Sequence, residues 1–170
     1  MTRPIGIYEK ATPKNFTWRE RLAFAKELGF DFVEMSVDES DSRLARLDWT
    51  KKERLDVVQA IYETGIRIPS ICFSGHRRYP LGSNDPKTEA TSLEMMKKCI
   101  ELAQDLGVRT IQLAGYDVYY EEKSPATRAR FIKNLRKACD WAEEAQVILA
   151  IEIMDDPFLN SIEKYLAVEK

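Results

Sequence analysis

The amino-acid sequence lacks the features that mark several large classes of protein. Its 170 residues contain only three cysteines, widely spaced and without a CxxC pair, which argues against a disulfide framework and against a zinc knuckle. A reducing cytoplasm is therefore the predicted compartment. No stretch approaches the ~18 apolar residues of a membrane span, and the first residues show no hydrophobic core of a signal peptide.

An excess of positive charge and a glycine-rich phosphate loop are also missing. The formal net charge is -2, so a nucleic-acid partner is not expected. Neither GxGxxG nor GxxxxGKS/T follows the first predicted strand, which leaves no dinucleotide-binding or P-loop signature. What remains is an ordinary globular composition, 44% hydrophobic and 32% charged, without a low-complexity stretch or a linker. Residues 1–170 are therefore predicted to form a single domain.

Five strand-like runs alternate with helical patterns along the chain. Strands are predicted at residues 5–8, 30–37, 68–74, 110–114 and 147–155, and helices at 18–28, 50–64, 86–106, 125–144 and from 160 onward. Three of the helices end at glycines, Gly29, Gly65 and Gly107, which are 36 and 42 residues apart. A repeat of ~40 residues in this order predicts βα units, and therefore an α/β domain with a mostly parallel sheet.

Two architectures fit this pattern. A doubly wound open sheet of five strands is complete at this length. A βα barrel of the TIM type normally needs ~250 residues, so five units would form an incomplete barrel. The periodicity alone leaves both possibilities open. In both of them, ligands bind at the edge formed by the C-terminal ends of the strands.

The last predicted strand carries the most informative polar residues. Residues 147–155 are an aliphatic run, apolar on both faces, and are therefore expected to be covered by helices on both sides. Glu152 and Asp155 interrupt this run near its C-terminal end. Because a carboxylate is costly to bury at such a position, it is predicted to face a polar site. The alternative is a carboxylate at the rim that turns into solvent.

Other polar residues follow the remaining strands. His76, the only histidine, lies in a loop and is predicted to contact substrate or to transfer protons; alternatively, it orders its neighbours. Arg77 and Arg78 can bind a phosphate through paired hydrogen bonds, although adjacent surface arginines are common. Glu34 either points into the site or pairs with a basic residue, and Gln112 lies at the same edge. The cysteines are expected to be small core residues, and the tyrosines at 116, 119 and 120 are expected to serve packing.

Several short motifs taken together resemble one enzyme family. They are GIYEK (6–10), LGFDFVEMSVDE (28–39), RLARLDW (43–49), HRR (76–78), PLGS (80–83), IQLAGYDVYY (111–120), EIMD (152–155) and NS (160–161). These motifs resemble those of the L-ribulose-5-phosphate (L-xylulose-5-phosphate) 3-epimerases, which belong to the xylose-isomerase-like TIM-barrel superfamily and serve the breakdown of L-ascorbate and related sugars. The resemblance covers essentially the whole chain and favours the incomplete barrel over the doubly wound sheet.

The resemblance implies an isomerase, a sugar-phosphate 3-epimerase that acts on a phosphorylated ketopentose. In this family a divalent metal ion, Mn, Zn or Mg, holds the C2 carbonyl and the C3 hydroxyl and stabilises an enediolate. One glutamate removes the C3 proton, and a second returns a proton on the opposite face. Glu152 matches the first glutamate and is expected to be both a metal ligand and a proton carrier. The expected substrate-binding residues are Glu34, His76, Arg77, Arg78, Gln112 and Asp155.

The family pattern extends past this chain. The resemblance implies roughly three more βα units, which carry an aspartate and a histidine of the metal site and the second glutamate. These ligands are expected beyond residue 170, so the chain is interpreted as the N-terminal part of an epimerase and is expected to be inactive alone. An open half barrel exposes the edges of its first and last strands, which predicts a homodimer or a larger assembly. The alternative is a non-catalytic half barrel that self-associates or binds a phosphorylated sugar weakly.

Overall fold

The computed structural model describes residues 3–169, which are organised around a single parallel sheet. Its five strands lie side by side in the order in which they occur in the chain. They are β1 (Gly6–Tyr8), β2 (Phe32–Val37), β3 (Ser70–Phe73), β4 (Thr110–Ala114) and β5 (Ile148–Glu152). Each neighbouring pair is parallel. The prediction of five parallel strands is confirmed; the predicted bounds agree with β4 and are too long for the other four.

Helices occupy the connections between the strands. They are α1 (Trp18–Glu27), α2 (Asp41–Leu44), α3 (Lys51–Thr64), α4 (Pro86–Leu106), α5 (Pro125–Glu144) and α6 (Ile162–Glu169). All except α2 were expected from hydrophobic periodicity. A helix of four residues is too short to show this period, and so is the 3-10 turn Ala45–Asp48 that continues it. None of the helices formed by residues 3–169 combines the length and the apolar character needed to span a lipid bilayer.

The strand order decides between the two predicted architectures. In a doubly wound sheet the order reverses at a switch point, and helices cover both faces. Here the order is β1-β2-β3-β4-β5, and right-handed connections between neighbouring parallel strands place all the helices on one face. On that face α1 packs on α3, α3 on α4 and α4 on α5. The sheet is therefore an open part of a TIM-type barrel, and the doubly wound alternative is wrong.

Side chains alternate between the two faces of the sheet. On the helix side the residues are fully or almost fully buried: Val33, Met35, Val37, Ile71, Phe73, Ile111 and Leu113. On the opposite side, which we call the inner face, β5 contributes Ile148, which is 53% exposed, and the exposed Glu152. The expectation that helices cover both sides of this strand is wrong, because within β5 it is Leu149 and Ile151 that pack on the helix-side core.

One expectation about packing is also corrected. Of the three cysteines only Cys99 is buried; Cys72 is half-buried on the inner face and Cys139 is exposed. The three tyrosines of the β4–α5 loop do pack on one another, with ring centroids 5.2 and 4.8 Å apart, although only Tyr116 is buried. Composition alone does not distinguish these positions, because each depends on which face its element presents.

The joints that lead from a helix to the next strand share one backbone conformation. The φ angles are 81°, 75° and 70° at Gly29, Gly65 and Gly107, and 57° at Gln146. Glycine adopts this left-handed conformation freely, whereas a side chain makes it strained. These joints lie at the N-terminal edge of the sheet, and the prediction that three helices end at Gly29, Gly65 and Gly107 is confirmed.

Candidate functional site

A group of polar side chains lies on the inner face toward the C-terminal edge of the sheet. Strand register brings them together, since Tyr8 pairs with Glu34, Ser36 with Cys72, Cys72 with Gln112, and Ala114 with Glu152. We call this group the inner-face cluster; its members are Tyr8, Glu34, Ser36, Cys72, Gln112 and Glu152. Three of the predicted site residues, Glu34, Gln112 and Glu152, thus share one surface.

Hydrogen bonds and charges connect the cluster. The Tyr8 hydroxyl donates to Ser36 Oγ at 2.9 Å, and Ser70 Oγ donates to Glu34 Oε1 at 2.7 Å. Burial raises the pKa of the Cys72 thiol, and the carboxylates of Glu34 and Glu152 raise it further. Because both carboxylates act on this one thiol, Cys72 lies between the two acidic groups of the cluster.

Glu152 is the last residue of β5, and its side chain is exposed. The loop that follows is held close to the β4 exit, because the Glu152 carbonyl accepts a hydrogen bond from Gly115 N–H at 3.0 Å. Asp155 is exposed in this loop. Its neighbour Asp156 instead forms an ion pair with Lys123, which ties the loop to the segment before α5. Sequence reasoning did not identify this pair.

His76 lies outside the inner-face cluster. Its ring is 6% exposed and packs against Phe73, with the ring centroids 4.5 Å apart. Nδ1 lies 2.9 Å from the Tyr79 carbonyl oxygen and 3.0 Å from Ser92 Oγ. A carbonyl can only accept, so Nδ1 carries the proton. Burial lowers the pKa of His76 to about 4, which keeps the imidazole neutral at physiological pH.

The two neighbouring arginines have different surroundings. Arg78 is exposed, and its Nη1 lies 2.6 Å from Asp41 Oδ1. Arg77 is half-buried, with its guanidinium 5.0 Å from the centre of the Tyr119 ring. Among the contacts within residues 3–169, Arg77 Nε and the Tyr116 hydroxyl are buried without a hydrogen-bond partner. The structure therefore separates two residues that are equivalent in the sequence.

A buried ion pair beside the cluster was missed by sequence reasoning. Glu9 directly follows β1, is 0% exposed, and accepts hydrogen bonds from both Nη atoms of Arg46, at 2.5 and 2.8 Å. Burial alone would raise the pKa of Glu9, but Arg46 and the Ser36 N–H outweigh burial and hold it below its ordinary value. The partners are 37 residues apart in sequence, so no local pattern connects them.

The residues described do not form a complete metal centre. Between residues 3 and 169, no three His, Cys, Asp or Glu side chains come close enough together to hold a metal ion. Glu152 offers one carboxylate, and one carboxylate is not sufficient for a stable divalent site. The residues described therefore do not by themselves specify a metal-assisted reaction step.

Comparisons with known proteins agree with this architecture. A family model described as xylose isomerase-like TIM barrel matches residues 22–170. The L-ribulose-5-phosphate 3-epimerase UlaE of Salmonella paratyphi B is 60% identical over 163 residues, which are 96% of this chain and 57% of that protein. The chain thus spans little more than half the length of the curated relatives that it matches.

Two solved structures illustrate the fold. A D-psicose 3-epimerase from Clostridium cellulolyticum H10, with D-tagatose, has a TM-score of 0.81 and 16% identity over 98% of this chain and 59% of its own. A Mycobacterium smegmatis xylose isomerase-like TIM barrel protein, in complex with magnesium, has a TM-score of 0.65 and 19% identity over 98% of this chain and 60% of its own. The predicted resemblance to L-ribulose-5-phosphate 3-epimerases is confirmed by the curated relative. The chain belongs to the xylose isomerase-like TIM barrel family.

Proposed function

We propose that this chain supplies the N-terminal part of the substrate site of an L-ribulose-5-phosphate 3-epimerase. The substrate would be a phosphorylated ketopentose, and the reaction a proton transfer at C3 in the breakdown of L-ascorbate and related sugars. The single observation that carries the proposal is the position of Glu152, an exposed carboxylate at the C-terminal end of β5 on the inner face. The named relative, at 60% identity over this same region, supports it.

Glu152 has the chemistry for the proton-transfer role. A carboxylate within hydrogen-bond reach of a carbon next to a carbonyl can remove its proton as a general base. Glu34 and Gln112 lie on the same face and can hydrogen-bond sugar hydroxyls, while Asp155 lies in the loop beyond. The proposal keeps Glu152 as one ligand of a divalent metal ion, with the other ligands supplied from outside residues 3–169.

Arg77 is the better candidate of the two arginines for the phosphate. Its Nε and the hydroxyl of Tyr116 are buried donors without partners among the described residues, and leaving such groups unpaired is costly. A phosphate would satisfy both donors. Arg78 already pairs with Asp41 in solvent, so we assign it no phosphate contact. The enclosed position of His76 favours a role in ordering the β3–α4 turn over direct contact with substrate.

A fusion experiment tests the function. The part of the Salmonella paratyphi B relative that this chain does not match is joined after Lys170, and the product is assayed with L-ribulose 5-phosphate in D2O. We expect deuterium at C3 and formation of L-xylulose 5-phosphate. In the fusion, Glu152→Gln is expected to lower turnover by about 10²–10⁴-fold, the usual contribution of a general base. Glu144→Gln, an exposed carboxylate at the C-terminal end of α5, serves as the matched control.

Two outcomes would contradict the proposal. Full activity of the Glu152→Gln fusion would remove Glu152 from the chemistry. Turnover by this chain alone, with Mn, Zn or Mg present, would show that residues 1–170 suffice and that ligands from elsewhere are not needed.

The predicted cytoplasmic location is supported by the three free thiols, Cys72, Cys99 and Cys139.

The alternative function is a non-catalytic half barrel. It is favoured by apolar side chains beside the strand edges, where Ile5 is 62% exposed, Ile148 53% and Ile153 43%. Exposed edges of this kind promote association between chains, so the proposal includes a homodimer or a larger species. Sedimentation velocity at low micromolar concentration tests it, and a folded monomer would exclude self-association.

A further inference from the structure

The buried pair formed by Glu9 and Arg46 is built with unusual rigidity. The Arg46 guanidinium lies near two indole rings, 5.3 Å from the centre of Trp18 and 5.6 Å from that of Trp49. Both of its Nη atoms donate to the Glu9 carboxylate. A planar guanidinium with two aromatic neighbours and a carboxylate along one edge has little freedom to move. The pair is therefore a fixed reference point at the exits of β1 and β2.

This pair forms hydrogen bonds with both backbone groups of Ser36. Glu9 Oε2 accepts a hydrogen bond from Ser36 N–H at 2.7 Å, and Arg46 Nη1 donates to the Ser36 carbonyl at 2.8 Å. The ladder between β1 and β2 ends two residues earlier, where Tyr8 pairs with Glu34. On that side of β2 the ion pair thus replaces the strand partner that Ser36 lacks.

The side chain of Ser36 connects the ion pair to the other residues of the inner-face cluster. Its Oγ accepts the hydrogen bond from the Tyr8 hydroxyl at 2.9 Å, and strand register places Ser36 directly beside Cys72 on the inner face. Burial raises the pKa of Tyr8, so the phenol is a neutral donor at physiological pH. A continuous series of contacts therefore joins Arg46, through Ser36, to Tyr8 and Cys72.

Stability alone gives a weak reason for such a pair. Desolvation of two buried charges offsets most of their attraction, and apolar residues of similar volume often stabilise a core equally well. We propose that Glu9 and Arg46 are positioning residues, which hold Ser36 and thereby fix the Tyr8 phenol against Cys72 at the wall of the proposed substrate site. This inference rests on the proposed function only in taking the inner face as that site.

The rate of Cys72 alkylation tests the positioning role without substrate or metal. In a Cys139→Ser background, which removes the exposed thiol, iodoacetamide labelling at pH 8 is followed by mass spectrometry. Cys99 is buried and serves as the internal check on unfolding. We expect Arg46→Met to lower the Cys72 rate about three- to tenfold, because the Tyr8 hydroxyl lowers the pKa of the thiol and only the thiolate reacts.

Two comparisons separate positioning from general destabilisation. Arg54→Met is the matched control, because the Arg54 and Arg46 side chains are equally exposed, 13% each, while Arg54 pairs with the exposed Asp105. It should leave the Cys72 rate within twofold of the parent. Tyr8→Phe should lower the rate as Arg46→Met does, and the double variant should show no further decrease, since Arg46 acts through Tyr8.

Ser36→Ala keeps the test valid if Arg46→Met folds poorly. It removes the hydroxyl and leaves the buried charges in place, so it should reproduce the Tyr8→Phe rate. An unchanged rate in Arg46→Met, an equal fall in Arg54→Met, or multiplied effects in the double variant would each overturn the proposal. These readouts do not involve turnover, so the positioning role can fail while the epimerase proposal stands. Conversely, an inactive fusion would leave the thiol result unaffected.

Discussion

Acid is expected to destabilise this fold through its single histidine. His76 is enclosed between Phe73 and Ser92, and its Nδ1–H donates to the Tyr79 carbonyl oxygen. Within residues 3–169, Nε2 is buried without a partner. Protonation would place a positive charge on an atom that nothing stabilises. The perturbation is therefore simply a decrease in pH.

The magnitude follows from the pKa. In the folded chain the pKa of His76 is lowered by burial from 6.5 to about 4, while the backbone hydrogen bond to Tyr79 opposes the change weakly. Between these values the unfolded chain binds a proton that the folded chain does not. The free energy of unfolding therefore falls as the pH decreases from 6.5 toward 4. At ~1.4 kcal/mol per pKa unit, the loss due to His76 amounts to about 3 kcal/mol.

Urea denaturation measures this loss. Curves at pH 7, 5.5 and 4.5 are compared for the parent and for His76→Asn, whose amide can replace the Nδ1–H donor and does not titrate. Carboxylates also titrate in this range, but they affect both proteins equally. The difference between the two should shrink from pH 7 to pH 4.5 because only the parent loses stability through His76. At pH 4.5 about two pKa units of this window have been crossed, which corresponds to a loss of about 2.5 kcal/mol. With a urea m value of about 2 kcal/mol/M, this loss moves the midpoint by about 1.2 M.

The NMR signal of the imidazole gives a direct check. His76 is the only histidine in the chain, so its ring resonance needs no assignment among alternatives. We expect its chemical shift to stay constant from pH 8 to pH 5. A titration with a midpoint near 6.5 in the folded protein would contradict the lowered pKa of His76. Parallel pH dependences of the urea midpoint for the parent and His76→Asn would contradict its effect on stability.

Three further predictions concern other parts of the chain. Gln146→Gly should raise the free energy of unfolding by about 1 kcal/mol, because glycine adopts the left-handed backbone conformation of this residue without strain. Gly65→Ala should lower the free energy of unfolding for the same reason. Urea curves that show the reverse would contradict the assignment of strain. Cys139 should be alkylated before Cys72, since it is exposed, and peptide mapping that finds Cys72 modified first would be inconsistent with the inner face described. Thr50→Ala should lower the free energy of unfolding by about 1 kcal/mol through loss of the α3 capping box, and an unchanged urea midpoint would show that this cap is dispensable.

The repeating architecture was predictable because it depends on local signals. Helix α4 begins after Asp85 with proline in its first turn and ends at Gly107, and both signals are legible in the sequence. In strand β2 the apolar residues Val33, Met35 and Val37 recur at every second position, so Glu34 could be placed on the opposite face before its partners were known. The same alternation also places Ser36 on that face, a signal that was available and not used.

Other features were beyond sequence reasoning for physical reasons. His76 and Arg77 are neighbours in one 3-10 turn, and which of them becomes enclosed depends on how that turn packs against α4. The pairing of Glu9 with Arg46 depends on α2 and the turn after it, which are too short to show periodicity. The choice of a one-sided sheet over a two-sided one depends on strand order, which hydrophobic patterns do not encode.

The left-handed joints also have a consequence for engineering. They occur once per βα unit, at positions 29, 65, 107 and 146, and all of them lie away from the edge that carries the inner-face cluster. They are natural crossover points, at which one unit can be exchanged for the corresponding unit of a relative while the backbone geometry on both sides is preserved. Chimeras joined there would recombine chemistry from one parent with the framework of another.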